Sequence, residues 1–196
     1  MHKQDSDPGD TPSPGDHGDT PNPGDHGDTP NPGLGSDVLE RFPDAVLADS
    51  HGQEVVYVDR GQWRALAQWL RDEAGFEQCV DITAVDQLLR PGRPLPPGVA
   101  GERFEVVANF LSYSRNVRLR AICQVPDGIA VDSLFDVYPG TELPEREVWD
   151  LLGVPFAGHP DLTRLMMPDE WEGHPLRKDD HPARVPVQFK EAPRPL

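Results

Sequence analysis

Phe104-Glu-Val-Val-Ala-Asn-Phe-Leu-Ser-Tyr-Ser-Arg-Asn-Val-Arg-Leu-Arg-Ala-Ile-Cys-Gln-Val125 is the stretch that decides the fold. Phe104–Tyr113 and Val117–Val125 are rich in β-branched and aromatic residues. The polar link Ser112–Asn116 is short, so the two runs predict an antiparallel hairpin. In the second run Val117, Leu119, Ala121, Cys123 and Val125 share one face, and Arg118 and Arg120 lie on the other. One face then belongs to a core, and the other meets water or a partner.

Working outward, Cys79–Val85 alternates apolar and polar residues and predicts a strand. Arg90–Gly101 holds four Pro and three Gly in twelve residues and reads as a loop. Glu54–Val58, bounded by Gly52 and Gly61, reads as another strand. Asp59 with Gln62 has the spacing of a capping box. Trp63, Leu66, Ala67, Leu70 and Ala74 follow at helical spacing as a core stripe, and Gly75 stops that helix. The fold is expected to begin at Val38–Phe42. Beyond the hairpin, Val131–Tyr138 is of mixed character. A helix is predicted over Glu142–Leu152, with Val148, Leu151 and Leu152 inward and Gly153 as its stop. The expected class is α+β: two layers, a mixed or antiparallel sheet with helices, spanning residues 38–152.

Two unlike segments flank that region. Residues 1–37 contain eight Asp, seven Pro, seven Gly and no aromatic residue, and carry −7 of the chain's net charge of −16. The unit Pro-Gly-Asp-His-Gly-Asp-Thr-Pro-Asn occurs at Pro14–Asn22 and again at Pro23–Asn31. Repeats invite a solenoid reading, but this unit has no apolar residue to stack. A solvated, disordered tail is therefore expected, in preference to metal capture by His17 and His26. Residues 153–196 carry eight Pro and no sustained period, yet hold Phe156, Leu162, Leu165, Met166, Met167, Trp171, Leu176 and Phe189. Such a strip is expected to lie extended across a surface, its own or a partner's, with Pro lowering its ordering cost; docking on a partner is the main expectation and packing on its own domain the alternative.

Composition excludes several classes. The longest apolar runs are four residues, Ala45–Ala48 and Val55–Val58, against the roughly 18–20 of a membrane-spanning helix. An acidic chain without a basic block is a poor nucleic-acid binder. It is repelled by anionic lipid, so membrane contact is expected to be indirect. Cys79 and Cys123 are the sole cysteines, too few for a cluster or a four-thiolate zinc site, and are expected reduced and buried. Neither G-x-G-x-x-G nor G-x-x-x-x-G-K-[ST] occurs.

Glu145-Arg-Glu-Val-Trp-Asp-Leu-Leu-Gly-Val-Pro-Phe-Ala-Gly-His-Pro-Asp-Leu-Thr-Arg-Leu-Met-Met-Pro-Asp-Glu-Trp-Glu-Gly-His-Pro-Leu-Arg-Lys-Asp179 closely resembles the signature of one family of NADH-quinone oxidoreductase subunits, the C or thirty-kilodalton subunits of respiratory complex I. Asp81-Ile-Thr-Ala-Val-Asp86, Arg103-Phe-Glu-Val-Val107 and Asn116-Val-Arg-Leu-Arg120 extend the resemblance, which covers roughly residues 40–182. Leu152 stands where the family often has Phe, and Asp180-His181-Pro182 where an aromatic residue usually precedes the Pro.

The resemblance implies a scaffold subunit of the hydrophilic arm, on the cytoplasmic side of the membrane in bacteria, without flavin, cluster or active site of its own. FMN, iron–sulfur clusters and the quinone would reside in partner subunits, with the B and D subunits the foremost neighbours. The residues it implies for docking are Glu145, Arg146, Glu147, Asp150, Gly153, Gly158, His159, Pro160, Arg164, Trp171, Gly173, Pro175, Leu176, Arg177, Lys178 and Asp179. Trp171 is the expected anchor, with Arg164, Arg177 and Lys178 paired to acidic groups of a neighbour. Related subunits of membrane-bound [NiFe] hydrogenases and of ferredoxin-linked complexes are the alternative. A metalloenzyme built on His159, His174 and His181 is a distant one, since each His precedes a Pro and none is spaced i, i+4. Glu145 and Glu147, at i and i+2, point to different sides of a helix and read as helix-surface charge rather than a catalytic pair.

Overall fold

The computed structural model describes residues 34–180. The repeat units and the segment from His181 onward lie outside the described residues, and with them the expectations for the tail, for His181 and for Phe189. Helix α1 (Leu34–Arg41) leads into β1 (Val46–Ser50) and β2 (Gln53–Val58), followed by α2 (Trp63–Asp72), β3 (Gln78–Asp86), β4 (Phe104–Ser112), β5 (Val117–Val125), β6 (Val131–Asp132), α3 (Glu142–Leu152) and β7 (Phe156–Ala157). The main sheet has the order β1-β2-β5-β4-β3. All its pairs are antiparallel except β2–β5, where Val56 lies beside Ala121 and Val58 beside Cys123 in parallel register. A separate parallel pair joins β6 to β7. The α+β reading holds, and the β4–β5 hairpin pairs from Phe104↔Val125 to Ser112↔Val117.

The core lies between one sheet face and the helices. Val56, Ile82, Phe104, Val106, Ala108, Phe110, Leu119, Ala121, Cys123 and Val125 meet Leu34, Val38, Trp63, Leu66, Leu70, Phe76, Val148 and Leu152 in one cluster. Burying a large apolar side chain contributes about 1.5–3 kcal/mol, so this alternation sets the register. The opposite face is partly covered by the Pro-rich loop. Arg93 in that loop pairs with Glu105 (3.1 Å) and donates to Gln124 Oε1 (2.9 Å). Ile122, on the face assigned to Arg118 and Arg120, is buried too, flanked by Tyr57 and Val107 on the neighbouring strands. Cys79 on β3 and Cys123 on β5 are both free and buried, separated by β4.

The structure corrects the reading in four places. Residues 34–37, assigned to the tail by composition, already belong to the fold: they form the first turn of α1, ahead of the expected start at Val38, and Leu34 is buried. Val46–Ser50 is a strand that the short apolar run Ala45–Ala48 did not announce. Asp59 makes no side-chain cap, because a 3₁₀ turn (Arg60–Gln62) precedes α2 and the Asp59 carbonyl accepts from Gln62 N–H instead (2.9 Å). Glu145 is fully buried, so the helix-surface reading holds for exposed Glu147 alone.

Candidate docking site on the last helix

Helix α3 has the predicted bounds. Gly153 ends it in the left-handed region (φ +75°), and its N–H donates to the Trp149 carbonyl (2.9 Å). A Cβ at Gly153 would also stand 2.5 Å from His174 Cδ2, so two constraints require glycine there. The chain then forms β7, turns at Gly158 (φ +83°), and runs back along α3 as a strap over residues 158–180.

The inner side of α3 is held by Glu145. Its carboxylate accepts from Ser133 Oγ (2.5 Å) and Leu134 N–H (2.6 Å), tying the helix to the segment after β6. Burial pushes this carboxyl above the usual range, against the opposing pull of Ser133, Leu134 and Thr141.

The outer side holds the strap at three points. At the N-terminal end, His159 Nε2–H donates to the Glu142 carbonyl (2.9 Å) and Nδ1 accepts from Asp161 N–H (3.1 Å). One turn on, Arg146 donates to the carbonyls of Thr163 and Arg164 (both 2.7 Å) and pairs with Asp161 (3.2 Å). At the next turn Asp150 sits fully buried. One of its oxygens accepts from three successive backbone N–H groups, Leu165 (2.9 Å), Met166 (2.6 Å) and Met167 (2.9 Å), and the other from Arg164 Nη1 (2.7 Å). Burial opposes the charge on Asp150, but Arg164 and the three amides outweigh it and hold the carboxyl down at about 2.

The same pieces cap the helix C-terminus, whose last carbonyls would otherwise lack partners. The Asp150 carbonyl accepts from Arg164 Nη1 (3.0 Å) and His174 Nδ1–H (2.9 Å), and the Leu151 carbonyl from Leu176 N–H (2.9 Å). Arg164 also donates to the carbonyls of Trp171 (2.8 Å) and Gly173 (2.9 Å), and its guanidinium lies 5.5 Å from the centre of the Trp149 ring. The His174 ring meets the same indole edge-on. At Gly173 (φ +90°) a Cβ would stand 2.8 Å from Asp180 Oδ2, which accepts from His174 N–H.

A second cluster fastens the end of the strap to the sheet. Buried Asp86 accepts from Arg103 (3.1 Å), Leu88 N–H (2.9 Å) and Lys178 N–H (2.9 Å). Arg103 also pairs with Asp127 (2.8 Å) and Asp179 (2.6 Å), and Arg177 with the same two carboxylates. Both guanidinium groups lie over the Phe104 ring, at 5.1 and 5.4 Å. Arg177 and Arg103 hold the carboxyls of Asp127 and Asp179 below their ordinary range.

Arg164 and Arg177 therefore pair within the chain, which corrects the expectation that a neighbour supplies their carboxylates. They were poor candidates for that role because each lies beside an Asp of its own fold. Lys178 and Leu176 point to solvent, Pro160 is exposed, and Pro175 is half-buried. Trp171 is half-buried beside a surface cavity of about 380 Å³ lined by Pro168, Glu170 and Glu172, and its indole N–H makes no hydrogen bond. Trp149, Asp127, Asp86 and Arg103 complete the two clusters and were not among the expected site residues. Asp86 and Arg103 do stand at the ends of two of the upstream strings that carried the resemblance, which was the available signal. Among the described residues no group of three or more His, Cys, Asp or Glu is placed to hold a metal, and His159 and His174 serve opposite ends of α3.

What this geometry defines is an α+β domain whose distinctive feature is a tethered strap. The family model for the respiratory-chain NADH dehydrogenase 30 kDa subunit matches residues 56–185, and the chain belongs to that family. It is 40% identical over 146 residues to the NADH-quinone oxidoreductase C subunit of Bordetella petrii, covering 69% of this chain and 70% of that one. The same-named protein of Saccharopolyspora erythraea is 38% identical over 145 residues, covering 72% of this chain and 54% of its own length. The NADH-quinone oxidoreductase C/D subunit of Chromohalobacter salexigens is 42% identical over 138 residues, which are 68% of this chain and 22% of that one. The chain thus spans little more than half the length of some curated relatives.

Proposed function

We propose that this chain is a non-catalytic scaffold subunit of the peripheral arm of a proton-translocating NADH-quinone oxidoreductase. Electrons would pass from NADH through FMN and iron–sulfur clusters to a quinone, all in partner subunits, and this chain would hold those partners in place. The observation that carries the reading is the polarity of the strap. Arg164, His174 and Arg177 turn inward onto α3 and the cluster at the sheet, while Leu165 (36% exposed), Met166 (62%) and Leu176 (54%) turn outward among exposed Asp169, Glu170, Glu172 and Lys178. Outward apolar residues on a rigidly pinned segment suit a protein partner. The B and D subunits are the proposed neighbours, and the fused name C/D of the Chromohalobacter salexigens relative supports D. The relatives' names favour the NADH enzyme over the hydrogenase and ferredoxin-linked alternatives. No helix among the described residues is long and apolar enough to cross a membrane, so attachment to the cytoplasmic side of the membrane is proposed to run through the complex.

The test is Trp171→Ala in the producing organism. The amount of assembled complex and its NADH-to-quinone electron flux should fall together, while the isolated chain keeps its melting temperature. Normal assembly with lost flux would place Trp171 in the chemistry and overturn the scaffold reading. Mass spectrometry of the complex captured through this chain should find the flavin and iron–sulfur subunits, and a nickel-containing hydrogenase subunit in their place would overturn the NADH assignment.

A further inference from the structure

The strap buries little apolar surface of its own. Between Asp161 and Asp180 every residue is half-buried or exposed, and not one is fully buried. A segment of this kind is commonly ordered only by its partner. Here it is ordered by carboxylates of its own chain. Asp150 replaces the missing apolar core: three consecutive amides converge on one of its oxygens, and Arg164, fixed by the other, reaches on to the carbonyls of Trp171 and Gly173. That single side chain thereby sets the turn Leu165–Met167 and, through Arg164, the loop 171–173. The two are the parts of the strap that present Met166 and the Trp171 cavity outward. The Asp86 cluster secures the far end independently, through Arg103 beside β4.

We propose that the strap is folded in the free subunit, before any partner arrives, and that Asp150 is the positioning residue that folds it. Association is then the docking of a finished surface rather than folding upon binding. This deepens the docking reading, but its test needs no partner. Hydrogen exchange is measured by mass spectrometry on the isolated full chain, with the β4–β5 hairpin amides as the internal standard. In the unmodified chain the amides of Leu165, Met166 and Met167 should exchange at least tenfold more slowly than in an unstructured peptide of the same sequence. Asp150→Asn, which keeps the size but loses the charge, should speed their exchange at least tenfold and leave the hairpin unchanged. Arg164→Ala should free the 171–173 segment while the three amides remain protected. Unprotected amides in the unmodified chain would overturn the inference even if every variant failed to fold. Undiminished protection in Asp150→Asn would overturn the role of Asp150. A folded strap combined with failed assembly would count against the docking reading alone.

Discussion

Asp150 and Glu145 are five residues apart on one helix, both fully buried, and shifted in opposite directions. The difference lies in the donors. Asp150 has a guanidinium and three amides, whereas Glu145 has one hydroxyl and one amide among its nearest donors. Their contributions to acid stability therefore oppose each other. Asp86, Asp127, Asp150 and Asp179 bind protons less readily in the folded chain than in the unfolded one. Their stabilisation is present above the ordinary carboxylate value of 3.8 and lost as pH falls toward the folded value, about 2 for Asp150. Glu145 binds a proton more readily when folded, so it adds stability as pH falls through its raised value. Asp72 and Glu77 are lowered as well and Glu54 is raised by burial, so with six carboxyls against two, denaturant unfolding should show a lower midpoint at pH 3 than at pH 5. Glu145→Ala leaves the Ser133 hydroxyl hydrogen and Leu134 N–H without an acceptor, at about 1–3 kcal/mol each, and should lower the unfolding free energy at pH 7 by about 2–6 kcal/mol. Gly153→Ala and Gly128→Ala share a left-handed backbone, but a Cβ at Gly128 meets nothing within 4 Å. Each should cost about 1–2 kcal/mol for the backbone, and Gly153→Ala more, by the displacement of His174. The difference between their melting temperatures measures that displacement.

At the scale of elements, the two arginines that fasten the end of the strap are unequal. Arg103 serves Asp86, whose side chain is wholly buried, while the partners of Arg177, Asp127 and Asp179, are each 44% exposed. Arg103→Ala leaves a buried carboxylate without its cation, held only by the Leu88 and Lys178 amides, and should cost about 3–5 kcal/mol in urea unfolding. Arg177→Ala leaves carboxylates that water reaches and should cost about 1–2 kcal/mol, loosening the end of the strap without unfolding the sheet. The elements themselves were unequally legible in the sequence. The hairpin and α3 could be read because their signals are local: alternation on both sides of a polar link, and a periodic run closed by Gly153. Helix α1 was hidden because Leu34, Gly35 and Ser36 share the composition of the tail, although Leu34 and Val38 are spaced i, i+4. The burial of Glu145 and Asp150 had no local signal at all. Their donors come from residues 133–134 and 164–167, and only the folded chain brings them together.

For the whole molecule, the sequence divides function from fold more plainly than it divides domains. The proposed docking segment lies where periodicity stops, since the strap answers to hydrogen-bond partners on α3 and the sheet rather than to a repeat of its own. The resemblance located that segment, but not which of its charges face inward. The acidic repeats before Leu34 offer no apolar side chain for a partner to bury. Removing residues 1–33 should therefore leave the yield of assembled complex, measured on a native gel, unchanged.

Cys79 and Cys123, free and buried on β3 and β5, give the molecule a pair of internal clocks. Burial pushes both thiols up to about 12, so neither is a nucleophile in the closed state, and alkylation waits for the strand around it to open. Cys79 lies on the edge strand beside a register shift, at 7% exposure, and Cys123 in the interior of the sheet at 0%. Pulse labelling with iodoacetamide should modify Cys79 first, timing the peeling of β3 from β4. Cys123 should follow only at the rate of global unfolding. The interval between the two would give the cooperativity of the sheet from one reagent, without a single substitution.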